Sequence, residues 1–110
     1  MLSEAQIEHF NTQGYMVVED LLDADVLARV QQEYFDLMDR LYDGWAAQGL
    51  VPPATPDMDF WAKLDHCYKV NFDWYQPFDI SLPANGIAPD TPFNFGAATF
   101  DMVTHKRILD

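Results

Sequence analysis

Three histidines and a single cysteine, His9, His66, His105 and Cys67, are the side chains of this sequence with the most versatile chemistry. A metal site gathers such groups at one point, through a His-x-Asp or His-x-Glu step or through two histidines one helical turn apart. None of the three histidines stands in such a pattern. The nearest cluster, Asp65-His66-Cys67, puts consecutive residues on different faces of a helix, so they cannot converge on one ion. Structural or surface roles are expected for all three. A nucleophilic Cys67 would need a histidine base in reach, and the adjacent His66 has the wrong geometry, so a buried thiol is expected. The 18 acidic residues are dense enough for carboxylate pairs to arise by chance, and they define no acid–base couple. There is no P-loop, no Gly-x-Gly-x-x-Gly and no Gly-x-Ser-x-Gly. These residues therefore nominate no catalytic, cofactor-binding or metal-ligating group.

The second unusual feature is aromatic. Phe60, Trp61, Tyr68, Phe72, Trp74, Tyr75 and Phe78 fall within nineteen residues. Such a stretch more often builds a core or a docking face than a pocket. Its largest members, Trp61, Tyr68 and Trp74, are the candidate wall of a substrate entrance.

The elements that must position these groups can be read from caps and periodicity. Ser3, with Gln6 three residues on, is a capping box for a first helix; Leu2 can staple onto Ile7. Ile7 and Phe10 mark its apolar side, and Gly14 is a left-handed stop. Tyr15-Met16-Val17-Val18 is the best strand candidate of the chain. Asp23 is placed to cap a long second helix. Its apolar positions recur at three- and four-residue steps: Val26 or Leu27, Val30, Tyr34, Leu37 or Met38, Leu41 and Trp45. Gly44 weakens the end of that helix, and Gly49 with Pro52-Pro53 terminates it. Asp57 or Asp59 can start a third helix with Phe60, Trp61, Leu64 and Tyr68 on one side. From Tyr68 onward two patterns compete. Tyr68, Val70, Phe72 and Trp74 alternate as in a strand, whereas Phe72, Tyr75 and Phe78 suit a short helix broken at Pro77, which is the preferred reading. Residues 83–96 are mostly loop, being rich in proline and glycine. Thr104 can cap a last helix. The expected class is therefore mainly α with a few short strands (α+β), in one partial domain spanning residues 1–110.

Composition narrows the function. The net charge of −12 and six scattered basic residues leave no basic stripe to displace phosphate counterions, so nucleic acid is not an expected partner. An anionic membrane surface is disfavoured on the same ground. No apolar run reaches the roughly 20 residues of a membrane span, and residues 1–20 lack the apolar stretch of a secretory leader. With one cysteine, no intrachain disulfide can form, and a cytoplasmic location is expected.

Read as text, the opening Leu2-Ser3-Glu4-Ala5-Gln6-Ile7-Glu8-His9-Phe10, followed by Gly14-Tyr15-Met16-Val17-Val18-Glu19-Asp20-Leu21-Leu22, resembles the start of phytanoyl-CoA dioxygenase family proteins. Phe78-Asp79-Ile80-Ser81-Leu82-Pro83 has the same look. The stretch from Phe95 to Asp110 is similar to the family segment just before the core barrel, with Lys106 where proline is common. The resemblance covers essentially the whole chain but only about the first third of such a protein. It implies a double-stranded β-helix, or jelly-roll, oxygenase of which these residues are the N-terminal helical layer, the barrel core being absent. It further implies Fe(II) on two histidines and a carboxylate, and 2-oxoglutarate gripped by an arginine, in the parent protein. In that chemistry oxygen is activated with release of succinate and carbon dioxide, and a small organic substrate is hydroxylated. None of those ligands falls in this sequence. The resemblance therefore makes the parent an enzyme, with this part alone inactive because its metal and co-substrate ligands are expected beyond residue 110. The competing expectation is an independent acidic helical module that binds a protein partner through its aromatic face.

Overall fold

The computed structural model describes residues 2–109, and among these the regular structure is entirely helical. Helix α1 (Glu4–Gln13) opens as its capping box dictates. Ser3 Oγ accepts from the Gln6 amide at 3.2 Å, and Gln6 Oε1 accepts from the Ser3 amide at 2.8 Å. Gly14 closes the helix in the left-handed region at φ 78°, where a side chain would be strained.

Helix α2 (Ala24–Ala47) is the axis of the molecule, 24 residues or about 36 Å long at 1.5 Å per residue. Between the sequence alternatives, the structure buries Val26 and Met38 and leaves Leu27 half exposed. Tyr42, absent from the expected stripe, is completely buried. The helix ends in a Schellman motif. The Leu50 amide donates to the Trp45 carbonyl and the Gly49 amide to the Ala46 carbonyl, with Gly49 at φ 75°.

Helix α3 (Phe60–Tyr68) returns beside the C-terminal half of α2. Of the two candidate caps Asp59 is used, its carboxylate accepting from the Ala62 amide at 2.8 Å. The inward stripe is Phe60, Lys63, Leu64 and Cys67, at offsets of three and four. Trp61 and Tyr68, expected on the same side as Phe60 and Leu64, face outward instead. The core is Met38, Tyr42 and Trp45 of α2 with Val51 and Cys67, ringed by Leu41, Leu64, Phe72 and Phe78. Lys63 is buried in this packing by its stem, while its ammonium reaches Asp39 of α2 at 2.6 Å.

After α3 the chain forms neither a strand nor a continued helix. The Phe72 amide donates to the Val70 carbonyl and the Trp74 amide to the Phe72 carbonyl, two consecutive three-residue turns. These turns carry Val70, Phe72 and Trp74 to the core and leave Asn71 and Asp73 outside. The alternation in the sequence thus has a cause other than a strand. A single 3₁₀ turn, Gln76–Phe78, follows at Pro77. Tyr34 of α2 stacks on Phe78 and donates its hydroxyl to the Phe78 carbonyl at 3.3 Å.

The other expected strand also does not form. Tyr15–Val18 takes no regular structure, and no strand runs beside it among the described residues. A ladder needs two chains, so β-propensity alone cannot make one. The loop from Asp79 to Gly96 is irregular, as its prolines and glycines require. Gln76 tethers it by donating to the Ser81 and Pro92 carbonyls, both at 3.1 Å. Helix α4 (Ala97–Val103), which no periodic pattern of residues announces, and the single turn α5 (Lys106–Leu109) complete the described chain. Thr104 does not cap α5. Its hydroxyl donates back to the Phe100 carbonyl, and His105 Nδ1 accepts from the Arg107 amide instead.

The assembly is open. Its radius of gyration is 18.3 Å, against about 13 Å for a compact domain of this length. The accessible surface is 8150 Å², about 1,900 Å² more than the size rule for folded monomers gives.

Two buried side-chain polar atoms are unsatisfied among the described residues, the Asn94 Nδ2 and the Tyr42 hydroxyl. The Tyr42 hydroxyl has no hydrogen-bond partner among the described residues. Burial and the neighbouring Cys67 both raise its pKa, so it stays protonated. Since an orphaned buried hydroxyl costs about 1–3 kcal/mol, Tyr42→Phe, which keeps the ring, is expected to stabilise the chain by about 1 kcal/mol. A rise in the urea midpoint at unchanged m-value checks this, and a fall would mean that the hydroxyl has a partner in solution.

Candidate functional site

The three histidines lie on different parts of the fold. His9 on α1 meets the Tyr15 ring edge-on at 5.4 Å, His66 on α3 lies 6.5 Å from the Tyr42 ring, and His105 sits between α4 and α5. Among the described residues no three His, Cys, Asp or Glu side chains gather closely enough to hold a metal ion. The described residues therefore form no site that fits the iron centre the family resemblance implies. Cys67 is completely buried, and desolvation raises its thiol pKa against a smaller lowering by a backbone hydrogen bond. A protonated, enclosed thiol is a poor nucleophile.

The candidate entrance wall is divided. Tyr68 and Trp74 come together, with ring centroids 4.7 Å apart, and Trp74 also contacts Phe78. Tyr68 is 70% exposed, so this pair forms an open aromatic surface. Trp61, 64% exposed, packs edge-on against Phe60 at 5.0 Å instead. With Phe35, Phe60 and Lys63 it lines a cleft of about 330 Å³ between α2 and α3. That volume is at the low end for ligand sites, and the cleft carries the Lys63–Asp39 ion pair together with Asp59.

The most highly organised polar arrangement is one that sequence patterns did not indicate. Glu33, midway along α2, reaches the start of α4 and takes three hydrogen bonds. Its Oε2 accepts from the Ala98 amide at 2.7 Å, and its Oε1 accepts from the Thr99 amide at 3.1 Å and the Thr99 hydroxyl at 2.7 Å. A carboxylate 65 residues away in sequence thus does the work of an N-cap for a helix whose own cap position is Gly96. Burial pushes the Glu33 pKa up, but the bonds from the Thr99 hydroxyl and the two amides outweigh it, and the net shift is downward. A Cβ built on Gly96 would fall inside the Glu33 carboxylate. Gly96 has ordinary extended φ and ψ, so it is this close approach, not the backbone angles, that requires glycine. The available signal was indirect: a helix opening Gly-Ala-Ala-Thr has no cap of its own and must borrow one.

Two ion pairs flank this junction. Arg29 meets Asp101 at 3.5 Å, and Arg107 donates to Asp23 at 2.9 Å and to the Leu21 carbonyl at 3.5 Å. Asp23 occupies the N-cap position of α2 as expected, yet its side chain makes no capping bond and is turned to Arg107. All three carboxylates are engaged by the fold, so this cluster is a fastening and offers no free acid or base. A second cleft of about 210 Å³ opens beside α4, lined mainly by Ile80, Phe95, Phe100 and Val103. No described helix is long and apolar enough to cross a membrane.

Comparison of the chain with protein-family models, with curated proteins and with solved structures finds no match.

Two predictions arise from the Glu33 junction. Glu33→Ala leaves two helix-end amides without a partner and is expected to cost about 1–2 kcal/mol in urea unfolding. Gly96→Ala, which displaces the carboxylate, should cost a similar amount alone but little in the Glu33→Ala background, a non-additive double-mutant cycle. Full additivity would show that Gly96 and Glu33 act separately. The second prediction concerns pH. A group whose folded pKa is depressed stabilises the fold above its unfolded value, about 4.3 for glutamate, and loses that contribution as pH falls through the folded value. Stability of the wild-type chain should therefore decline from about pH 5 downward. Glu33→Gln should decline less steeply, Asp57 and Asp79 keeping a residual slope because the Thr55 hydroxyl and the Ser81 amide, respectively, lower their pKa values.

Proposed function

We propose that this chain is the helical layer of an Fe(II)- and 2-oxoglutarate-dependent oxygenase of the phytanoyl-CoA dioxygenase-like kind, acting on a small organic substrate. In this reading the metal and co-substrate ligands are supplied by sequence after residue 110, and residues 1–110 supply scaffold. The observation that carries it is the segment Tyr15–Val18. It has the composition of a strand, yet it takes no regular structure, exposes Tyr15 and Val17, and has no ladder partner among the described residues. Such a segment is suited to the edge of a sheet that another part of a polypeptide provides. The open shape points the same way, since α1 buries none of its residues and the chain is too extended to enclose its own apolar surface. Recognised text at both ends of the chain supplies the family.

The exposed rings of Trp61 and Tyr68 favour a second reading, an acidic helical module that binds a protein partner through that aromatic face. The radius of gyration weighs against it, because a free-standing module normally closes over its core.

The test of the oxygenase reading is the coding sequence past Asp110, followed by assay of the extended protein. The extension should contain a His-x-Asp, a later histidine and an arginine. The extended protein should consume 2-oxoglutarate in the presence of Fe(II), residues 1–110 alone should not, and its thermal midpoint should exceed theirs. An extension without that histidine–carboxylate set would sink the oxygenase reading. A cooperative unfolding transition that the extension leaves unchanged would favour the module.

A further inference from the structure

The sequence has four asparagines, Asn11, Asn71, Asn85 and Asn94, and of these Asn85 alone is followed by glycine. An Asn-Gly step is a turn signal, and it is also the step at which the main chain most readily attacks the side chain before it. Glycine has no Cβ to hinder the approach of its amide nitrogen to the asparagine Cγ. The structure leaves this pair open. Asn85 and Gly86 are both exposed, in the irregular loop between Asp79 and Gly96, with Gly86 at φ 75°. Among the described residues no hydrogen bond engages the Asn85 side chain or the Gly86 amide. The bonds that hold the loop fall on either side: Gln76 donates to the Ser81 and Pro92 carbonyls, and Ala88 and Thr91 bond each other.

The fold treats the comparable sites differently. Asn11 lies within α1, and Asp43, which Gly44 follows, lies within α2. In a helix the next amide is committed to a carbonyl four residues back, and the dihedral angles are fixed. After Asn71 the Phe72 amide donates to the Val70 carbonyl at 3.2 Å. Asn94 has its Nδ2 buried and is followed by the bulky Phe95. Asn85-Gly86 thus combines the reactive pair with an exposed, unbonded backbone, and no other asparagine or aspartate of the described chain does so.

We propose that Asn85-Gly86 is a site of self-modification selected by the fold, at which the folded chain converts asparagine to aspartate and isoaspartate in water alone. The Gly86 amide nitrogen gives up its proton and bonds to Asn85 Cγ. The Cγ–Nδ2 bond breaks, and the nitrogen leaves as ammonia, carrying that proton. Water then opens the resulting succinimide ring at either carbonyl carbon. Attack at Cγ breaks its new bond to the Gly86 nitrogen and gives aspartate; attack at the Asn85 main-chain carbonyl carbon leaves the chain running through Cγ as isoaspartate. Nothing is oxidised or reduced. Either product adds one negative charge to the net −12, and isoaspartate adds a methylene to the main chain. Residues 82–87 make no hydrogen bond that this would break. The site does not depend on the oxygenase reading.

Incubation of the 110-residue chain at neutral pH, folded and in guanidinium chloride, tests the proposal. Peptide mass mapping follows each asparagine, and methyl transfer by an isoaspartyl carboxyl methyltransferase counts isoaspartate. In the folded chain Asn85 should be lost at a rate within about threefold of that in denaturant, since an unprotected segment costs almost nothing to open. Isoaspartate at Asp43 should form at least about 100-fold more slowly in the folded chain than in denaturant, because α2 must first unfold. Gly86→Pro, which has no amide proton to give up, should leave Asn85 intact, and its circular-dichroism spectrum should match that of the wild type. An Asn85 that persists in the folded chain while it is lost in denaturant would overturn the proposal. So would conversion to aspartate without isoaspartate, equal rates at Asp43 in the two conditions, or unchanged loss of Asn85 in Gly86→Pro.

Discussion

Because α2 is the one long element among the described residues, each other piece of the chain is held by what it can find along that helix, and the two halves of α2 offer different things. Its C-terminal half presents Met38, Tyr42 and Trp45, large side chains that α3, Val51 and the aromatic run after Tyr68 enclose. Its N-terminal half presents Val26 to the interior, and toward α4 and α5 it presents Arg29, Glu33 and the Asp23 carboxylate. The first attachment follows the hydrophobic effect and has no directional requirement. The second is a set of hydrogen bonds and ion pairs that hold only at defined geometry and charge state. The two parts of the molecule should therefore respond to different conditions: the α2–α3 packing to temperature and denaturant, the α4 junction to acid and ionic strength.

Within the α4 junction the contributions are unequal. Arg29–Asp101 and Arg107–Asp23 are more than half exposed at both ends, and pairs of that kind contribute little each. Glu33 is different because it accepts three hydrogen bonds, and because the amides it accepts from have no other partner at the start of α4. A seven-residue helix is too short to persist without such help. Its presence at residues 97–103 is thus a tertiary effect, in which a side chain on another helix supplies the cap.

That division explains how much was legible in the sequence. The capping box at Ser3 and Gln6, the Gly14 stop, the extent of α2 and the start of α3 at Asp57 or Asp59 all rest on interactions within a few residues, and the structure realises them. Choices between adjacent residues, such as Val26 or Leu27, turn on which face meets a neighbour and needed the neighbour to be placed. Trp61 and Tyr68 face away from the expected side of α3 for the same reason: the inward stripe includes Lys63, whose charge masks its apolar stem. The strand expected at Tyr15–Val18 lacks a partner. Helix α4 was invisible because its cap lies 65 residues upstream. As to the candidate site, the sequence nominated no metal or catalytic group, and of its three wall residues Tyr68 and Trp74 meet while Trp61 joins a separate cleft.

The paired three-residue turns at Val70–Trp74 have a consequence for colloidal behaviour. A run of alternating aromatic and polar residues is the composition from which intermolecular β-sheets grow when such a segment is left flat with free backbone groups. Here the Val70 and Phe72 carbonyls are already occupied by amides two residues on, and the coiling of the backbone spoils the regular spacing that a neighbouring molecule would have to match. The chain can thus run a segment of alternating aromatic and polar residues along the edge of its core without offering a template for fibre growth.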